Sequence, residues 1–120
     1  MTYCSTSPSL CVLEKLVHIE DPTLMPELVM VTYEVPESVL METIEVAELP
    51  QDWRRDEAWT QARGDRWHQA RSAALLEVPS AIVPIAGSPD MNVIINHNHP
   101  DSSTIRIVGA SAFTSDPRLS

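Results

Sequence analysis

Residues 75–119 read LLEVPSAIVPIAGSPDMNVIINHNHPDSSTIRIVGASAFTSDPRL, and this stretch decides the fold class. Short apolar runs rich in β-branched residues alternate with Pro, Gly, Asn and Ser. Ala73–Val78 reads as a strand stopped by Pro79; Ala81–Val83, Val93–Ile95 and Ile105–Val108 read as short strands between turn signals. Moving toward the N-terminus, Asp56–Arg71 carries a helical pattern, with Asp56 as its cap and Trp59, Ala62, Trp67 and Ala70 on one side. Gly64 weakens the middle of that helix by about 1 kcal/mol relative to Ala. Leu49–Asp52 is a loop. Val39–Val46 alternates loosely and reads as a strand, and Leu28–Val35 (LVMVTYEV) reads as another, with a turn at Pro36-Glu37-Ser38 between them. Near the start, Ser7 can cap a helix and Pro8 suits its first position, where a missing N–H costs nothing. Leu10, Leu13, Leu16 and Val17 supply an apolar stripe out to His18, and Asp21-Pro22 ends the element. Strands that come mostly in series after a helix predict an α+β domain with a mixed or antiparallel sheet and a few helices, rather than a doubly wound sheet.

The bulk properties narrow the function. A chain of 120 residues suits one domain with a modest core, and 43% apolar residues suit a folded globule. The formal charge of −9, from 8 basic and 17 acidic residues, argues against a general binder of phosphate backbones. It leaves room for one small anion held by a local arginine. The two cysteines, Cys4 and Cys11, form neither a disulfide framework nor a metal-type spacing. Met1-Thr2-Tyr3-Cys4 lacks a signal peptide's basic flank, and no apolar run is long enough to span a bilayer. A soluble cytoplasmic protein is the expectation, with neither direct nucleic-acid binding nor membrane insertion.

Several residues invite a chemical reading beside an ordinary one. Tyr3 and Glu14, taken alone, are a near-terminal tyrosine and a glutamate on a solvated helix face. Ser80, after Pro79, is in the ordinary case a local hydrogen-bonder, and no Gly-x-Ser-x-Gly elbow surrounds it. His97 and His99 stand two apart, as ligands on one strand face can. Neither a third histidine nor a carboxylate at ligand spacing completes a zinc set, and Pro100 breaks the strand before Asp101. That segment reads as a turn in which Asn96, His99 and Asp101 bond their own backbone. Arg54, Arg55, Arg63, Arg66, Arg71, Arg106 and Arg118 are all available to a pyrophosphate.

Taken in order, these motifs resemble the RES domain family, bacterial toxins that destroy NAD and are named for an arginine, a glutamate and a serine. YCSTSPSLCVLEKLVHI at residues 3–19 resembles the segment in which a strand-end tyrosine leads through a serine-rich turn into the glutamate-bearing helix. Val78-Pro79-Ser80-Ala81, the Asn-flanked apolar run, the Asn-His-Asn-His-Pro-Asp loop and the closing Asp116-Pro117-Arg118-Leu119 follow in the same order. His97 stands where the family's loop has a proline. The resemblance implies a fold similar to that of mono-ADP-ribosyltransferases, with Tyr3, Glu14 and Ser80 as catalytic residues and Tyr3 and Ser80 also contacting NAD. NAD is then the substrate, and no cofactor or metal is needed. The implied activity is that of the toxin in a type II toxin–antitoxin pair. It would cleave the nicotinamide–ribose bond by phosphorolysis or hydrolysis, with a helix-turn-helix antitoxin as partner.

One departure shapes these expectations. The family's arginine lies in a Gly-Arg-Trp-Asn-like segment upstream of the tyrosine, and Met1 stands two residues before Tyr3. Residues 1–120 therefore read as a single RES-like domain shortened at its N-terminus. Such a domain would turn over NAD slowly, and would self-associate through the sheet edge beside Tyr3. Two other classes compete: an inactive truncated RES remnant serving as an antitoxin- or nucleotide-binding module, and an unrelated small globular protein that echoes the motifs.

Overall fold

The computed structural model describes residues 1–18, 27–114 and 118. Among them are two α-helices and six strands: β1 (Thr2–Ser5), α1 (Pro8–Val17), β2 (Leu28–Glu34), β3 (Met41–Thr43), α2 (Glu57–Ala70), β4 (Leu75–Pro79), β5 (Met91–Ile95) and β6 (Arg106–Phe113). Short 3-10 turns occupy Val46–Glu48 and Pro100–Thr104. The architecture is α+β. None of the helices described is long and apolar enough to cross a membrane.

The main sheet has four strands in the order β1-β5-β4-β3. β5 pairs antiparallel with both β1 and β4, while β3 pairs parallel with β4. Parallel neighbours need a crossover rather than a hairpin, and α2 supplies it. Alternation then divides the sheet. One face sets Leu76, Val78 and Ile94 against Ile44, Leu49 and Trp67, the last from α2. The other packs Leu75, Ile95, Cys4 and Val93 with Val39, Ala74, Tyr33 and Ile105. Trp67 is 1% exposed, and its indole N–H donates to the Ala73 carbonyl at 3.0 Å, so the polar end of the largest core side chain is satisfied. Arg63 adds an ion pair with Glu42 at 3.1 Å, tying α2 to β3.

β2 and β6 form a separate antiparallel ribbon. A register shift between Thr32 and Tyr33 rephases β2, so that Leu28, Met30 and Tyr33 are the part-buried positions. Tyr33 brings the ribbon against the main sheet.

Local signals placed the helix starts well. Ser7 accepts from the Leu10 N–H at 3.2 Å with Pro8 in the first turn, and Asp56 accepts from the Trp59 N–H at 3.0 Å. Apolar stripes transferred less well. On α1, Leu10 is buried while Leu13 and Val17 are exposed; on α2, Trp67 is buried while Ala62 and Ala70 are exposed. Val39–Val46 yields only the three-residue β3, because Glu45 and Glu48 close a capping box that turns the chain into a 3-10 helix. Ala81–Val83 is not a strand: the Ser80 hydroxyl takes the Ile82 N–H at 3.0 Å, a donor a strand would need for its ladder. β4 includes Pro79, and β6 runs well beyond Val108. The expected helix end at Asp21-Pro22 lies outside the described residues.

Candidate functional site

Glu14 is placed by the burial of another residue. Leu10 is 1% exposed, and Glu14 follows it by four residues, hence one turn further on the same helix face. Seating Leu10 aims Glu14 at the junction of β4 and β5. There Ser80, the residue after β4, donates from Oγ to Glu14 Oε1 at 2.7 Å. Asn92, on β5, donates from Nδ2 to the same oxygen at 2.7 Å. Ser5, on β1, donates from Oγ to Asn92 Oδ1 at 2.9 Å. The registers explain the convergence, since Asn92 stands opposite Val78 on one side and Ser5 on the other.

Ser80 is fully buried, and its hydroxyl is used twice, giving its proton to Glu14 and accepting from the Ile82 N–H. A hydroxyl so enclosed and so occupied is built to hold a carboxylate, not to attack a substrate. Glu14 is only partly buried, which leaves the carboxylate reachable.

Tyr3 is 72% exposed and makes no described hydrogen bond to Glu14 or Ser80. It precedes Ser5 by two residues on β1, so both side chains project from the same sheet face, about 7 Å apart along the strand. Of the residues singled out from the sequence, Glu14 and Ser80 are therefore in contact, while Tyr3 is not joined to them and lines the neighbouring apolar cavity instead.

Two residues that sequence reasoning passed over, Asn92 and Ser5, belong to the site. Asn92 carried a visible signal, a polar residue opening an apolar strand; Ser5 carried none. Arg54 Nη2 donates to the Ala81 carbonyl at 2.5 Å, which places a guanidinium beside the turn that holds Ser80.

The histidine-rich loop is occupied with its own backbone. Asn96 accepts from the Asn98 N–H and His99 Nδ1 from the Asp101 N–H, capping the second 3-10 turn. The Asp101 carboxylate instead lies 3.9 Å from His99 Nδ1, and His97 Nε2 meets Thr2 Oγ1. Among the described residues, no group of three or more His, Cys, Asp or Glu side chains is placed to hold a metal.

A cavity of about 570 Å³, with Tyr3 and Ser5 on its rim, lies along β1 between the main sheet and the ribbon. Cys4, Cys11, Met30, Tyr33, Val93 and Ile95 are among its walls; Glu14, Ser80 and Asn92 are not. Burial, and then the neighbouring Cys11, push the Cys4 thiol above its ordinary value, so this cavity holds no activated nucleophile at Cys4. Acid–base or ionic chemistry belongs with the polar cluster rather than with this mostly apolar space.

Fold and site together define an α+β protein in which one helical carboxylate is held by a serine at the end of one strand and an asparagine on its neighbour. The RES domain model matches residues 1–118, and the chain belongs to the RES domain family. It is similar to the Prs ADP-ribosylating toxin of Sphingobium sp., with 35% identity over 99% of this chain and 74% of that protein. It is also similar to proteins named Toxin Res. The one from Pseudomonas putida is 35% identical over 99% of this chain and 79% of the relative; the one from Yersinia enterocolitica is 33% identical over 98% and 76%.

Proposed function

We propose that this chain is a toxin enzyme that consumes NAD by breaking the bond between nicotinamide and ribose. The observation that carries the reading is the Glu14 carboxylate, partly exposed and fixed through Oε1 by Ser80 and Asn92. As the C1′–N bond breaks, nicotinamide leaves with the bonding pair, its ring nitrogen becomes neutral, and positive charge develops on the ribose. A fixed carboxylate beside that ribose stabilises the developing charge or accepts its hydroxyl hydrogens. Phosphate or water then adds to C1′ and loses a proton. The Sphingobium relative is named for ADP-ribosylation, a transfer of the same ADP-ribosyl group. In this reading Tyr3, exposed on the same face as Ser5, stacks on or bonds the nicotinamide–ribose end. Ser80 acts by holding Glu14. A helix-turn-helix antitoxin is the partner this reading implies.

The test is NAD loss with purified protein. Wild type should consume NAD, Glu14→Gln should be slower by about 1,000-fold, and Ser80→Ala by about 10- to 100-fold, since each removes part of a preorganised charge site. Undiminished turnover by Glu14→Gln refutes the reading.

A further inference from the structure

The Glu14 carboxylate is held in a way that assigns separate tasks to its two oxygens. The terminal torsion of a glutamate is broad and nearly two-fold, so a carboxylate with no partners samples many orientations. Here both described donors, Ser80 Oγ and Asn92 Nδ2, converge on Oε1 at 2.7 Å each. Neither uses Oε2. The donors come from separate elements, the turn after β4 and β5, so rotation about the terminal bond breaks both contacts.

Asn92 has the more demanding position. A carboxylate only accepts, so the amide must present Nδ2 to Glu14 and Oδ1 away from it. Ser5 Oγ, which can donate, meets Oδ1 at 2.9 Å and holds that orientation. β1 is thereby joined to the site through one hydroxyl, and the chain Ser5–Asn92–Glu14–Ser80 links two strands, the turn after β4 and a helix.

We infer that Asn92 is a positioning residue for catalysis, seated by Ser5, which commits Glu14 Oε1 to the protein and leaves Oε2 to the ribose end of the substrate. This rests on the NAD-consuming reading above. Asn92 acts through Glu14 and need not touch substrate itself.

Asn92→Asp separates positioning from simple support. Aspartate keeps the volume and the acceptor for Ser5, but it replaces the donor to Glu14 with a carboxylate oxygen. A mere strut for β1 would tolerate it better than Asn92→Ala. The experiment measures kcat and KM for NAD in the wild-type chain, Asn92→Asp, Asn92→Ala and Ser5→Ala, with a thermal melt of each. The expected result is a kcat lower by about 100-fold in Asn92→Asp, with KM changed less than about three-fold, because a misplaced reacting group costs rate more than affinity. Asn92→Ala should be no slower than Asn92→Asp, and Ser5→Ala should lose about 10-fold, again in kcat. If Asn92→Asp fails to fold, the Asn92→Ala and Ser5→Ala losses, in kcat with KM preserved, carry the same decision. Wild-type turnover with Asn92→Asp at full rate, or with Asn92→Asp clearly faster than Asn92→Ala, overturns the positioning role alone. A wild-type chain that consumes no NAD overturns the catalytic reading, and this inference with it.

Discussion

At the scale of single residues, the site depends on pairing a charge with neutral donors. Two neutral donors on Oε1 provide charge-assisted hydrogen bonds, roughly twice as strong as neutral ones, without adding a counter-charge that would compete with a cationic transition state. The thiols show the opposite case. Cys4 is partly withdrawn from water and has Cys11 nearby, and both effects disfavour its thiolate. A thiol pushed upward holds less thiolate at neutral pH, so Cys4 should alkylate slowly with iodoacetamide at pH 7.5 and accelerate as pH rises past the ordinary cysteine range. Peptide mass spectrometry reads this directly, and modification of Cys4 as fast as free cysteine at pH 7.5 would contradict it.

At the scale of elements, α1 is a lever with Leu10 as its fulcrum. Leu10→Ala should cost about 2–5 kcal/mol of stability, since it empties a fully buried site. It should also lower NAD turnover in protein that remains folded, because Glu14 is aimed by that anchor; denaturant unfolding and kinetics on the same sample check both. α2 ends less comfortably. Its cap, Arg71, adopts φ 56°, a left-handed conformation in which an L side chain is strained, and glycine is the usual residue there. Arg71→Gly should therefore raise stability by about 1 kcal/mol, seen as a higher melting temperature with no change in NAD turnover. A lower melting temperature would mean that the Arg71 side chain contributes more than its backbone strain costs.

For the whole molecule, the uncovered surface matters most. β1 is an edge strand of the main sheet, paired among the described residues on one side only. On the ribbon, Val29 (61% exposed), Ile107 (61%) and Val108 (57%) lie open to water. An open edge beside exposed β-branched residues is a template for association. The weight-average mass in light scattering should rise with protein concentration, and Val29→Lys together with Ile107→Lys should reduce that rise. A constant monomer mass at every concentration would show that edge and ribbon are adequately protected by their own geometry.

Some of this protein was determined by its sequence alone. Ser7-Pro8 and Asp56 start helices because a cap needs only the residues three positions on. β2 forms from a run of β-branched and aromatic residues, and Asn96 and His99 turn the backbone within two residues. The ordered motifs identified the family, and marked Glu14 and Ser80 as residues to watch. Tertiary structure decided the rest. Which face of α1 is buried depends on what lies opposite it, so Leu10 is enclosed while Leu13 and Val17 are not. The split into a four-stranded sheet and a ribbon depends on long-range pairing, which short strand runs leave open. Asn92 joins the site only because its strand lies between Val78 and Ser5, in a register that brings it to a carboxylate 78 residues away in sequence. Capping, turn chemistry and local propensity act over a few residues and leave a local trace. Register and burial are set by the free energy of closing the whole chain, and that is why the hydrogen bonds holding Glu14 were decided only in three dimensions.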